Sequence, residues 1–259
     1  MEKNKNEQIK PPRIKAGSKI PTVEEPVILP SPQDGEGDPE LENAMLTLYQ
    51  NIESLLPDAA KKIIQFIGSR KGEGISTVVR KFGRTVAGTL GKPVLILDLG
   101  RSAPGVDQSF TETGPGRGWG GVLPGGNDGP DKGAPGSGDI DEVLYRGKAS
   151  GDLYVSQIPM NGASVHQGFN SPEMKSYLFE LKERFDLILV DSPAVTVSPA
   201  GAAFCRNTDG VVLVLEAETT RWPVAEHAKE MIGKNGGRLL GIVFNKRRYH
   251  IPRFIYQRL

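Results

Sequence analysis

The residues best placed to do chemistry form one run. Gly68-Ser69-Arg70-Lys71-Gly72-Glu73-Gly74-Ile75-Ser76-Thr77 stands between the apolar segment Ile63–Ile67 and a stretch of helical character over 76–90. Glycines let successive backbone N–H groups converge on one anion, and a helix N-terminus adds its partial positive charge at the same point. The Ser76 and Thr77 hydroxyls follow directly, where an oxygen ligand for a hard divalent cation is wanted. The spacing therefore points to phosphate binding, and the strand–loop–helix context is that of a P-loop.

The lysine place of a P-loop is Ile75. An ammonium there reaches the β- and γ-phosphates; a sec-butyl group cannot. Losing that charge-assisted contact costs about 1.5–3 kcal/mol in binding, and more in a transition state that depends on electrostatic stabilisation. Arg70 and Lys71, upstream in the same loop, are the candidate substitutes. Two carboxylates complete the set. Asp98 follows the apolar run Val94–Leu97, and Asp191 follows Leu187–Val190. In a parallel sheet, strand C-termini line the crevice into which the glycine loop opens, so Ser76, Asp98 and Asp191 are expected around one Mg²⁺. A lone Asp at a strand end is as readily a turn or cap residue, and an empty structural turn remains the alternative to nucleotide binding.

Stepping outward, apolar residues Leu41, Met45, Leu48, Ile52 and Leu55 share one face of a helix that Pro57 ends. Short apolar runs predict strands at 63–67, 94–97, 153–158, 187–190, 210–215 and 240–244, with helices at 76–90, 172–184 and 225–232 between them. That alternation predicts a doubly wound α/β domain with a mostly parallel sheet and helices on both faces. The N-terminal stretch carries separated blocks of charge, with six Lys/Arg in 1–19 and seven acids between Glu24 and Glu42, broken by prolines, and most of this falls in residues 1–38. They are expected as a disordered or extended arm, either solvated or docking. Residues 114–138 hold 11 Gly and 4 Pro, which predicts a flexible insertion. The domain proper is expected over 39–245, followed by a basic, aromatic tail at 246–259.

Composition excludes several classes. The chain has 259 residues, with 37% hydrophobic, 24% charged and a net charge of +1, which does not suggest a general nucleic-acid binder. No apolar run approaches the ~20 residues that span a bilayer, and none follows the polar N-terminus, so a cytoplasmic location is expected. One cysteine and three histidines leave no disulfide framework and no cysteine-built metal site.

Gly72-Glu73-Gly74-Ile75-Ser76-Thr77, Val94-Leu95-Ile96-Leu97-Asp98, Phe185-Asp186-Leu187-Ile188-Leu189-Val190-Asp191-Ser192-Pro193 and Leu240-Gly241-Ile242-Val243-Phe244-Asn245 together resemble the bacterial tyrosine kinases of capsule and exopolysaccharide synthesis. These belong to the wider group of P-loop ATPases that includes the MinD and ParA proteins. Order and spacing agree over residues 40–259. The resemblance implies ATP or ADP with Mg²⁺ as ligands, phosphate and metal binding at Gly72, Gly74, Ser76 and Thr77, a first carboxylate role for Asp98 and a later metal-side role for Asp191, and Asn245 near the base. It implies autophosphorylation on a C-terminal tyrosine cluster, here reduced to Tyr249 and Tyr256, and activation by the cytoplasmic part of a membrane chain-length regulator (a polysaccharide co-polymerase).

The departures from that pattern are specific. Ile75 replaces the lysine, Gly100 stands where the family's second Asp follows Asp98, and Leu46 and Tyr49 occupy the arginine places of a helical motif used in ring assembly. They favour a nucleotide-responsive regulator of polymer synthesis or export, weak or inactive as a kinase. An active autokinase using Arg70 or Lys71, and a MinD/ParA-like positioning ATPase, are the alternatives. The tail 234–259 has seven Lys/Arg and no acid, which suits contact with an anionic membrane surface at the inner face of the cell membrane; nucleic acid is the less favoured partner, and a homo-oligomer is compatible with the family.

Overall fold

A computed structural model describes residues 27–30, 39–99, 110–115, 143–147, 152–157, 169 and 171–247. A nine-stranded sheet has the order β1-β9-β8-β2-β7-β3-β6-β5-β4. Its strands are β1 (Val27–Pro30), β2 (Lys62–Gly68), β3 (Val94–Asp98), β4 (Phe110–Pro115), β5 (Val143–Gly147), β6 (Leu153–Gln157), β7 (Leu187–Asp191), β8 (Gly210–Glu216) and β9 (Leu239–Arg247). From β1 through β6 every neighbouring pair is parallel, while β5 and β4 add an antiparallel edge. The helices are α1 (Pro39–Leu55), α2 (Ile75–Leu90), α3 (Pro172–Arg184), α4 (Pro199–Phe204) and α5 (Trp222–Lys234). The mostly parallel doubly wound sheet is the fold that the alternating pattern leads one to expect.

Strand parity explains how both faces are used. On β2, Ile64 and Phe66 point into a core shared with α1 and α2, through Met45, Leu48, Ile52, Val78, Val79, Phe82 and Val86. Ile63 points into the opposite core, with Leu95, Leu97, Ile188, Val190 and the α3 residues Leu178 and Leu181. Ile67 joins a third cluster with Val211, Leu213 and the α5 residues Ala228 and Ile232. Central strands buried on both faces read as continuous apolar runs, as parallel strands covered by helices must. Gly83 of α2 sits where an added Cβ would lie 3.1–3.3 Å from Leu153, Ile96 and Leu189, so the helix approaches the sheet closely there.

The connections reverse direction between β2 and β7. From β2 the chain passes through α2 to β3 on the far side of β7; from β7 it passes through α4 to β8 on the far side of β2. Such a switch point opens a crevice at the strand C-termini.

Two elements differ from expectation. Within the stretch expected as an arm, Val27–Pro30 pairs in parallel with β9, with Leu29 buried; a four-residue edge strand among prolines carries too little periodicity to be read from sequence. Phe110–Pro115 and Val143–Gly147 form the antiparallel edge on either side of the glycine-rich segment, so residues 114 and 115 of the expected insertion are in a strand. The rest of 114–138, Gly100, Tyr249 and Tyr256 lie outside the described residues, as does most of the basic tail. No helix among the described residues is long and apolar enough to cross a membrane.

Candidate functional site: a cleft at the strand C-termini

The glycine loop leaves β2 and turns into α2. Gly72 (φ 95°) and Gly74 (φ 87°) adopt left-handed conformations that an L side chain resists. Gly74 is also the N-cap of α2, with no side chain capping the first turn. The amide groups of that turn are therefore directed to whatever occupies the space in front of it.

That space is a cleft of about 490 Å³. Lys71, Gly72, Gly74, Ile75, Ser76 and Thr77 form one wall; Asp98 comes from β3; Asp191, Ser192, Pro193, Ala194 and Val197 come from β7 and the loop after it; Lys246 comes from β9. Parity places the two acids. Asp98 is two residues from Ile96, and Asp191 two from Leu189, and both of those belong to the α2-facing core. Asp98 and Asp191 thus leave the sheet on the side where α2 begins, and they are register partners in the β3–β7 ladder. Oxygens from Ser76, Asp98 and Asp191 suit a hard cation such as Mg²⁺; no cluster of three or more His, Cys, Asp or Glu occurs among the described residues, so a metal here needs hydroxyl, phosphate or water oxygens as well.

Three expected binding residues are placed elsewhere. Glu73 is fully buried beneath the loop. Its carboxylate accepts from Ser69 N (2.6 Å), Ser69 Oγ (2.6 Å), Arg70 N (2.9 Å) and Thr220 Oγ1 (2.8 Å). Glu73 holds the loop from inside and spends two of its amides on itself. Arg70 follows it, with Nε 3.9 Å from Glu73 Oε1 and Nη2 3.5 Å from Thr220 Oγ1, and is not among the cleft-lining residues. Asn245 is buried and donates from Nδ2 to the Glu73 carbonyl at 2.9 Å, clamping the loop to β9 instead of lining the cleft. Lys71 does line it.

Ile75 packs partly against the α1/α2 core. Its Cδ1 lies 2.7 Å from the position a Cβ on Gly68 would take. The side chain thus folds back under the start of the loop, and the cleft beside it stays open.

Sequence reasoning missed the wall after β7 and the residue after Asn245. Val195 N donates to Gly68 O (3.0 Å) and Thr196 Oγ1 to Ser69 O (2.8 Å), tying the Pro193–Val197 segment to the glycine loop. Lys246 donates from Nζ to Gly72 O at 2.5 Å. Neither carries a local signal; only the chain reversal in space brings them together. At the far end of α1, Tyr49 accepts from Lys92 Nζ (2.6 Å), and Lys62 Nζ bonds Glu53 Oε2 (2.9 Å). Burial, then the neighbouring Glu53, raises the Tyr49 phenol well above its ordinary value. Tyr49 is thus engaged within the chain, by Lys92 and Glu53.

No family model matches the sequence. It is 25% identical over 187 residues to the tyrosine-protein kinase CpsD of Streptococcus agalactiae, covering 71% of this chain and 75% of that protein. It is 33% identical over 67 residues to the putative tyrosine-protein kinase CapB of Staphylococcus aureus, 26% of this chain and 29% of that one. It is 23% identical over 208 residues to the succinoglycan biosynthesis transport protein ExoP of Rhizobium meliloti, 75% of this chain but 23% of ExoP. Among solved structures, the chimerical protein CapA2B2 has a TM-score of 0.60 at 17% identity, over 86% of this chain and 93% of that chain. The kinase domain of the Escherichia coli tyrosine kinase ETK has a TM-score of 0.59 at 14% identity, over 82% and 78%; at these identities the likeness is one of fold. Motif order, sequence relatives and fold agree in their likeness: the chain is similar to bacterial tyrosine kinases such as CpsD and CapB.

Proposed function

We propose that this chain is a nucleotide-binding regulator of exopolysaccharide or capsular polysaccharide synthesis, weak or inactive as a kinase, that works with the cytoplasmic segment of a membrane chain-length regulator. The observation that carries the reading is at position 75. Where the family's lysine would face the phosphates, Ile75 is folded back toward Gly68, while Ser76, Asp98 and Asp191 still surround an open cleft. Binding needs the amides of the α2 N-terminus and a divalent ion; phosphoryl transfer needs more, because its barrier falls through charge stabilisation of the moving phosphoryl group. Removing the cation lowers the second far more than the first.

In this reading Gly72, Gly74, Ser76 and Thr77 cradle the phosphates of ATP or ADP, and Ser76, Asp98 and Asp191 hold Mg²⁺, directly or through water. When bound, the ion neutralises phosphate charge and fixes the orientation of the chain of phosphates. Glu73 and Asn245 act one step back, keeping the loop in its receptive shape before the ligand arrives. The C-terminal tail and the chain-length partner bring the protein to the inner face of the membrane, where bound nucleotide alters the partner's behaviour.

A second reading keeps kinase activity, with Lys71 in the lysine's role; the observation favouring it is that Lys71 lines the cleft. Incubation with γ-labelled ATP and Mg²⁺ separates the two. Bound but untransferred label supports the regulator. Label on Tyr249 or Tyr256, abolished by Asp98→Asn, establishes the kinase instead.

A further inference from the structure

Position 75 brings no charge to the cleft, and Arg70 is engaged by Glu73 and Thr220. A cation nevertheless enters from the end of β9. Lys246, at the end of β9, has φ 59°, a left-handed conformation that is uncommon for residues with a Cβ and that concentrates at functional sites. The turn breaks the strand's alternation. Asn245 points to the α1/α2 side and clamps Glu73 O, and Lys246 then lies along the glycine loop. Its Cε is 3.7 Å from where a Cβ on Gly74 would stand. Its ammonium donates to Gly72 O at 2.5 Å and lies 3.6 Å from Glu216 Oε2. It lines the same cleft as Ser76, Asp98 and Asp191.

We infer that the Lys246 ammonium is the cation that meets the phosphates of a nucleoside di- or triphosphate in this cleft, in place of residue 75. The inference rests on the nucleotide-binding reading above. The ammonium is held by one carbonyl and one carboxylate at a half-exposed position, and such pairs are weak. A polyphosphate offers several negative oxygens beside the same loop and forms stronger charge-assisted hydrogen bonds. Rotation about the four-carbon stem carries Nζ from the Gly72 carbonyl to the phosphates and leaves that exposed carbonyl to water. Lys71 lies in the same cleft, but it is an exposed loop side chain with no comparable anchor to the glycine loop among the described contacts. The Lys246 stem is already laid against that loop, so less freedom is lost when it binds.

The test is calorimetric titration of the full chain with ATP, ADP and adenosine in the presence of Mg²⁺, for the native protein, Lys246→Met, Lys246→Arg and Lys71→Met. Lys246→Met is expected to weaken ATP and ADP about tenfold or more, to leave adenosine unchanged and to flatten the salt dependence. Lys246→Arg is expected to retain most of the affinity, and Lys71→Met to lose less than Lys246→Met. A second measurement uses only the native chain: ATP should protect Lys246 from acylation, read by mass spectrometry, more than it protects Lys71. Native binding of ATP with no loss in Lys246→Met, or equal losses for ATP and adenosine, or protection of Lys71 alone, overturns the assignment of Lys246 while the nucleotide reading stands. No ATP binding by the native chain overturns both.

Discussion

Asp98 and Asp191 are register partners at the C-terminal ends of two neighbouring parallel strands, and both leave the sheet on the side where α2 starts. Two carboxylates on neighbouring strand ends offer hard oxygens that suit a divalent ion. Such an ion, held there, would offset the charge of a bound phosphate. Nucleotide binding by the native chain should therefore strengthen on adding Mg²⁺. In Asp98→Asn and in Asp191→Asn most of that gain should vanish, read as the ratio of dissociation constants with and without the metal. An unchanged ratio in both variants would separate the acids from the metal.

Ile75→Lys should tighten ATP binding by about tenfold, since it returns a cation to the family's place beside the phosphates. Ile75 is only partly buried, at the edge of its core, so a lysine stem can leave Gly68 for the cleft at little cost in packing. Calorimetry with no gain would mean that the loop does not cradle phosphate.

Glu73→Ala should destabilise the chain even without a ligand. It leaves the Ser69 and Arg70 amides and two hydroxyls without the acceptor they share, and unsatisfied buried donors cost about 1–3 kcal/mol each. At ~2–4 °C per kcal/mol for a chain of this size, a fall of several degrees in the thermal midpoint is expected. Glu73→Gln, which keeps an acceptor oxygen, should fall less.

The Lys62–Glu53–Tyr49 cluster sets part of the acid stability. Burial pushes the Glu53 carboxyl up, but hydrogen bonds from Tyr49 and Lys62 and the charges of Lys62 and Lys92 outweigh it, so the group lies below its ordinary value of 4.5. A depressed carboxyl contributes stability above its unfolded pKa and loses it as pH falls through the folded one. Glu53→Gln should therefore lower stability at neutral pH and flatten its decline below about pH 4.5, as followed by denaturant titration across that range.

The central sheet was legible because its strands are buried on both faces and so read as nearly unbroken apolar runs, with Gln65 the one polar residue inside β2: β2, β3, β7 and β8 fall within a residue or so of their expected limits. The glycine loop was legible because φ above zero at two positions demands glycine. The edges were not: Val27–Pro30 and Phe110–Pro115 are short, and their pairing is decided by partners far away in the chain. Within the site, residue types located the loop and the two acids but not the direction of the side chains. Arg70, Glu73 and Asn245 were expected to face the ligand; instead they bind one another's backbone and side chains beneath the loop. Lys246 went unnoticed as a site residue because one left-handed residue, invisible in a composition count, turns it back over Gly72.

Glu73 and Asn245 keep the receptive shape of the loop in the absence of ligand, which bears on the whole functional reading. A loop held from within is ready for phosphate without a conformational step. A purely structural turn would bind no nucleotide, and a binding measurement divides the two.

Calorimetric titration of the native chain with ATP, with Mg²⁺ and then with EDTA, makes that division most directly. Saturable binding of one ATP per chain that weakens sharply when the metal is removed is the expected result. No heat of binding with either ATP or ADP at millimolar concentrations, with the chain folded by circular dichroism, would contradict it.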